Sequence, residues 1–222
     1  MKNLLFTIHK SLQRFLFGGK CASCGTPGEA ICQRCLLLVP LSEETEHGGI
    51  YGIYNYGHSL VSFAVWNLKY KHKGQEAKIL SKKASEFISE IIAEHLQSED
   101  GQEIILVPIP QYKDKLYKRG FNPSAVIASW VQEDLPFSRV ENILEKTRAT
   151  VPQSHLSDRK QRLRNIDGAM KAKYPPDSGK LYVLIDDVTT TGATFLEATR
   201  ALRFAGARNV LCIALAHGYK RR

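Results

Sequence analysis

Two spacings of apolar residues alternate along the chain, and their alternation predicts an α/β fold. Short unbroken apolar runs, EIILVPIP from Glu103 and LYVLI from Leu181, have the length of buried strands. Between and around them lie segments whose apolar residues recur at three and four: about Leu60 to Lys71, about Glu76 to Leu96, PSAVIASWVQ from Pro123, and about Ala193 to Phe204. Those segments read as helices. Tyr51, Ile53, Tyr54 and Tyr56 mark a further strand or hairpin, and another strand is expected near Ile143. The last unit is the clearest: strand LYVLI, an acidic pair, a Thr/Gly loop, a helix stopped at Gly206, and strand NVLCIALA make one βαβ unit. The expected fold class is α/β, a mostly parallel sheet with helices on both faces, behind a small N-terminal module.

The first residues change that picture little. Leu4, Leu5, Ile8, Leu12, Phe15 and Leu16 fall at helical spacing, while His9, Lys10, Gln13 and Arg14 interrupt the apolar run that a secretory signal needs. A short amphipathic helix packed on the body is expected, with docking on a partner or membrane surface as the alternative. No apolar run is long enough to span a bilayer, so a cytoplasmic, reducing location is expected. At 222 residues the chain has room for one full-sized domain and something small. The polar stretch SEETEHGG suggests the division, residues 1–45 and 46–222.

Charge narrows the partners. Thirty-one Lys and Arg against 22 Asp and Glu give a formal +9, which favours phosphorylated metabolites or nucleic acid without choosing between them. From Lys146 to Lys173 the balance is eight basic residues against Asp158 and Asp167, so two thirds of the net charge lies in one turn-rich tract. Such a run is either a solvated face or a contact for a polyanion. Arg159, Lys160, Arg162 and Arg164 are its candidate nucleic-acid contacts, although only Tyr174 borders the tract as a stacking partner.

Cys21, Cys24, Cys32 and Cys35 form a CxxC-x7-CxxC pattern. Two residues between cysteines let both thiolates face one ion, and two such knuckles complete a tetrahedral site with no open position. A structural zinc is expected, with a redox dithiol pair or unligated thiols as the alternatives. Cys212, inside an apolar strand, is expected in the core.

LIDDVTTTGAT carries the most chemistry. Asp186 and Asp187 follow a buried strand, at the end where open α/β sheets bind ligands, and can accept hydrogen bonds from vicinal ribose hydroxyls. Val188, Thr189, Thr190, Thr191, Gly192, Ala193 and Thr194 then open a helix. Gly192 lets backbone approach an anion, the Thr hydroxyls add donors, and the helix N-terminus favours negative charge. Diol acceptors beside a phosphate cradle describe a ribose 5-phosphate site. His155 and His217 have no assigned role.

This stretch resembles the phosphoribosyl-pyrophosphate (PRPP) signature of type I phosphoribosyltransferases. VPIP at 107–110, KLYKRGFNPS at 115–124 and TRATVPQSHLSDRKQRLRN at 147–165, together with the cysteine knuckles, resemble the ComF family over nearly the whole chain. That family is associated with bacterial competence and DNA uptake. The resemblance implies a type I phosphoribosyltransferase-like fold, a VPIP loop beside the pyrophosphate, and Arg119, Lys115 and Lys118 neutralising it. Asp186, Asp187 and Arg119 would be the catalytic residues of any transfer, and Mg²⁺ would sit between PRPP oxygens rather than in a protein cage. It implies a mobile flap around Gln153 to Asn165, with Arg159, Arg162 and Arg164 facing either the ligand or a polyanion. Single-stranded DNA and proteins of the competence machinery are the implied partners. Purine salvage transferases generally carry an Asp two residues before the loop glycine, where this chain has Thr190; hypoxanthine and guanine are therefore not expected as acceptors. Whether the pocket turns over PRPP in nucleotide metabolism or binds it during DNA uptake stays open at this point.

Overall fold

A computed structural model describes residues 19–42, 45–46, 49–71, 74–96, 102–150 and 165–218. In chain order it opens with a two-stranded ribbon, β1 (Gly19–Lys20) and β2 (Pro27–Gly28), and the short helix α1 (Gln33–Leu37). Then come β3 (Thr45–Glu46), β4 (Ile50–Asn55), α2 (Ser59–Tyr70), α3 (Gln75–His95) and β5 (Ile104–Pro108). The helices α4 (Lys113–Arg119) and α5 (Pro123–Asp134) precede the short strands β6 (Ser138–Val140), β7 (Leu144–Lys146) and β8 (Met170–Ala172). The chain closes with β9 (Leu181–Thr189), α6 (Ala193–Ala205) and β10 (Asn209–His217).

The main sheet has the order β3-β4-β10-β9-β5-β6, all parallel except the two-residue edge strand β3. The expected boundary between residues 45 and 46 falls inside β3. Strand β9 is central because every residue from Leu181 to Ile185 is apolar or aromatic and buried, as a parallel strand covered on both faces requires. Its alternating side chains enter two cores. Leu181, Val183 and Ile185 pack with Leu60, Leu80 and Ile127 of α2, α3 and α5. Tyr182 and Leu184 pack with Phe195, Ala198 and Leu202 of α6, and Cys212 lies in this core as expected. The mostly parallel sheet with helices on both faces is therefore observed.

Four details refine or correct the sequence reading. The basic stretch after VPIP contains helix α4, stopped by Gly120 in the left-handed conformation at φ 80°. The Tyr-rich segment is strand β4, which forms a short antiparallel hairpin with β3 on one side and pairs in parallel with β10 on the other. The strand near Ile143 is β7, which leaves the main sheet to pair with β8, while the unexpected β6 takes the sheet edge. Finally, β9 does not stop at the acidic pair. Asp186 and Val188 stay in register with Ala214 and Ala216 of β10, whereas pairing with β5 ends at Ile185 opposite Pro108. The acidic pair thus sits where one neighbour strand has ended, which opens a cleft beside it.

Candidate functional site

The cleft is built on that opening. It encloses about 400 Å³ and is lined by every residue from Asp186 to Thr194, with Ile109 and Pro110 of the VPIP segment forming part of its wall. Two adjacent strand residues point to opposite faces, so each carboxylate needs its own partner. Lys69, from the last turn of α2, bridges Asp187 at 2.8 Å. Ser124 Oγ donates to Asp186 Oδ1 at 2.8 Å, and the Asp187 N–H donates to the same oxygen at 2.9 Å.

The sequence explains why Ser124 arrives there. Asn122 caps α5, its Oδ1 accepting from the Ser124 N–H at 3.1 Å, and Pro123 takes the first helical turn, where a missing N–H costs nothing. The Asn122 amide donates to Ile109 O at 2.9 Å, tying the cap to the VPIP segment. The Asn-Pro-Ser run thus connects one wall of the cleft to its acidic floor.

Burial is the main influence on Asp186 and, with the Asp187 charge, pushes its carboxyl up to about 7 against the pull of Ser124 and Lys69. Burial opposes the charge on Lys69, but the neighbouring Asp187 outweighs it and holds the ammonium above its ordinary range. Lys115 and Lys146 go the other way. Burial lowers both; Arg119 and Lys69 lower Lys115 further, and Lys115 lowers Lys146. Neither has a carboxylate in salt-bridge range among the described residues. A cluster of cations that repel one another is stabilised by an anion entering among them.

The loop supplies the other half of such a site. Gly192 adopts φ 69°, a left-handed backbone that demands glycine, while the nearest atom to a Cβ there, Ile50 Cδ1 at 2.7 Å, is the movable end of its side chain. Helix α6 begins at the next residue, leaving its first N–H groups directed at the cleft end of the loop.

Of the residues singled out from sequence, the structure gathers Asp186 to Thr194, Lys115 and Arg119 around one cavity. Lys118 is exposed and is not among the lining residues, because α4 turns its position outward. Arg159, Lys160, Arg162, Arg164 and His155 lie outside the described residues, as do the N-terminal helix expected before residue 19 and most of the expected flap. His217 is buried at the end of β10 and packed against Gly52, where a Cβ would come within 2.4 Å of the His217 Cβ. Sequence reasoning missed Lys69, Ser124, Trp66 and Tyr70 as cleft residues. Lys69 has no local motif, and Ser124, although it ends the KLYKRGFNPS stretch, was given no role there; both reach the acidic pair only because α2 and α5 cover the same face of the sheet.

A second cluster lies in the N-terminal module. The thiols of Cys21, Cys24, Cys32 and Cys35 all lie within 4.8 Å of one another, with Cys24 and Cys32 sulfurs 3.6 Å apart. Four sulfurs around one zinc stand about 3.8 Å apart for bonds of ~2.3 Å in tetrahedral geometry. The four residues could therefore hold zinc. Gly25 at φ 73° gives the first knuckle its turn. Burial opposes ionisation of Cys21, but N–H donors from Cys24, Cys32 and Ser23 bring its thiol down to about 6. Lys83 clamps this module onto the sheet domain by donating from α3 to Leu36 O at 2.8 Å and to Val39 O.

Comparison with known proteins places these two clusters in context. No family model matches the chain. The DNA utilization protein YhgH of Escherichia coli O157:H7 is 28% identical over 195 residues, covering 86% of this chain and 80% of that one. Competence protein F of Haemophilus influenzae is 30% identical over 115 residues, half of this chain and 49% of its own. Among solved structures, a hypoxanthine phosphoribosyltransferase from Staphylococcus aureus matches 61% of this chain and 61% of its own at 11% identity, with a TM-score of 0.40. The relatives that match in sequence are thus proteins named for DNA utilization, over most of this chain, and for competence, over half of it.

Proposed function

We propose that the cleft binds PRPP as its Mg²⁺ complex and that the protein acts in bacterial DNA uptake from the cytoplasmic side. The observation that carries the reading is the meeting, in one cavity, of Asp186 and Asp187 with the Gly192 loop and the cations Lys115, Arg119 and Lys146. In this pose Asp186 and Asp187 accept from the ribose 2′- and 3′-hydroxyls. The 5-phosphate lies on the N–H groups at the start of α6, between the hydroxyls of Thr191 and Thr194. Lys115 and Arg119 face the pyrophosphate, and Lys69 has to share Asp187 with the sugar. Magnesium, when bound with PRPP, would offset the charge of its phosphates.

The reading predicts Mg²⁺-dependent PRPP binding by calorimetry and a rise in thermal stability. A ligand at about 100 times its Kd adds roughly 2.7 kcal/mol. A folded protein that gives neither signal refutes it.

A second reading, phosphoribosyl transfer in nucleotide metabolism, draws on the same geometry. The residues that hold the diol and the pyrophosphate are also those that would orient the C1–O bond for cleavage and stabilise the leaving pyrophosphate, with the acceptor nucleophile forming the new bond at C1. Mass spectrometry after incubation with Mg²⁺-PRPP and a metabolite extract separates the two readings. Thr190, whose hydroxyl is no proton acceptor near neutral pH, argues against hypoxanthine and guanine. Robust formation of inosine or guanosine monophosphate would refute that part.

A further inference from the structure

Helix α2 carries apolar residues on two faces, and only one of them has a partner within the fold. Leu60, Val61, Ala64, Val65 and Leu68 are buried against the sheet and α3. Phe63, Trp66 and Tyr70, at positions i, i+3 and i+7, form a second stripe that remains 42%, 45% and 61% exposed. This stripe runs into the cleft, since Trp66 and Tyr70 also line it. Their rings are tilted at 45° with centroids 6.0 Å apart, so the pair does not close on itself as a stack.

Each of these two rings is attended by a cation. The Lys71 ammonium lies 5.3 Å from the Trp66 ring, and the Arg119 guanidinium, from α4, lies 5.5 Å from the Tyr70 ring. A third pair opens α4, with Lys113 5.9 Å from the Tyr112 ring. Exposed aromatics at this density are not needed for folding, and they alternate with positive charges that have no carboxylate partner within salt-bridge range among the described residues. A purely apolar protein partner would leave those charges buried and uncompensated, which is costly. A small anion would satisfy the charges but leave the rings in water. One class of ligand supplies both planar π-faces and a repeating anion at the spacing of neighbouring side chains: an unpaired polynucleotide strand.

We infer that the Phe63–Trp66–Tyr70 stripe, with Lys71 and Lys113, is a stacking surface for single-stranded nucleic acid that leads into the cleft. The inference rests on the DNA-handling part of the proposed function and relocates its base contacts. The tract from Lys146 to Lys173 offers charge without rings, whereas α2 offers rings with charge. Bases stack on Trp66 and Tyr70 while the backbone phosphates meet Lys71 and Lys113, and Arg119 stays with the pyrophosphate.

The test uses the full chain and fluorescein-labelled oligothymidylate, read by anisotropy at fixed salt, with tryptophan emission as a second signal. Trp66→Ala should weaken binding roughly 5- to 100-fold, the range of one base–aromatic stack. Trp66→Phe should bind within about twofold of the parent but lose the oligonucleotide-induced quenching, because Trp130 is the other tryptophan and belongs to the α5 packing. Neutralising Arg159, Lys160, Arg162 and Arg164 together should lower affinity without abolishing the quenching. If the parent binds the oligonucleotide and Trp66→Ala binds it equally well, the stripe is not the stacking surface, although the DNA-handling reading survives. Should the parent bind no oligonucleotide at all, that reading falls too, and retained PRPP binding in the same preparation would show that the cleft is intact. Equal affinity for duplex and single strands, or quenching by thymidine monophosphate that matches the oligomer's, would also overturn the inference.

Discussion

The two chemically loaded regions of this protein, the cysteine knuckles and the cleft, hold their reactive groups by opposite means. From Ala22 to Pro27 every residue of the first knuckle is exposed, and between Cys21 and Val39 only Cys21, Ile31, Cys35 and Val39 are buried. So small a segment has no core of its own, and four thiols cannot all ionise side by side without a cation among them. The cleft has its charges arranged by the fold. Asp187 is already paired with Lys69, Asp186 already accepts from Ser124, and Gly192 already holds the left-handed turn at φ 69°. If the four thiols hold zinc, one region takes its order from a ligand, whereas the other is a frame ordered by the fold itself.

The most severe way to break this contrast is to remove metal from the first region. Structural zinc contributes about 10–16 kcal/mol to segments of this type. Elemental analysis should find about one zinc per chain. A strong chelator, or Cys24→Ser, should raise hydrogen exchange across residues 20–40 while the strands of the sheet keep their protection. PRPP binding should change less than about twofold. Protein purified without chelator that contains reversible disulfides and no metal would reverse the assignment.

The converse experiment addresses the cleft. Asp186→Asn with Asp187→Asn removes both diol acceptors as carboxylates and leaves Lys69 without its ion pair. Since a hydrogen bond to a charged group contributes ~1.5–3 kcal/mol, PRPP affinity should fall at least about 100-fold. The zinc content should not change. Calorimetry showing PRPP affinity within tenfold of the parent would remove the diol role from the pair.

These two regions also differ in how far the amino-acid order disclosed them. The knuckles are local: the two CxxC pairs are close in sequence, and spacing alone brings four sulfurs together. The LYVLI run and the Thr/Gly loop were legible for a similar reason, because a buried strand followed by a glycine-bearing helix start is continuous in the chain. Lys69 and Ser124 were not, since each meets the acidic pair only after α2 and α5 have packed on one face of β9. The continuation of β9 past Ile185 was hidden as well. It depends on β10 extending further than β5, and polar Asp residues gave no sign of strand. Trp66 and Tyr70 were read as part of a helix whose apolar spacing did not tell the buried face from the exposed one.

A finer probe of the cleft's prearrangement is pH. The Asp186 carboxyl is raised to about 7, first by burial and then by Asp187, and must be ionised to accept fully from a hydroxyl. Its surroundings are Asp187 on β9, Lys69 on α2 and Ser124 on α5, with Lys146 of β7 near enough to respond to its charge. Because the protonated form dominates below that value, PRPP affinity should fall by about tenfold per pH unit below 7 and level off above it. Ser124→Ala removes a donor that favours the ionised form, so the midpoint should move upward by about one unit. The titration of PRPP itself is common to both proteins and cancels in the difference. An unchanged midpoint in the variant would show that Ser124 does not tune the carboxyl.

The smallest expected effect lies at the joint between the two regions. Lys83 extends from α3 to donate to Leu36 O and Val39 O, two carbonyls at the end of the segment that follows Cys35. Burial is what lowers its pKa, so the ammonium has exchanged part of its hydration for these carbonyls. Replacing it by methionine keeps the aliphatic stem against the core and removes only the donor. The loss should be about 1–2 kcal/mol, confined to the docking of the module. Hydrogen exchange at residues 33–39 should rise by roughly tenfold while residues 104–108 and 181–189 stay protected. Zinc content and PRPP affinity should both stay within about twofold of the parent, because the metal ligands and the cleft are untouched. If exchange rises equally in the sheet, the module and the sheet domain unfold as one unit. The contrast between a ligand-ordered region and a fold-ordered one would then describe a single cooperative structure.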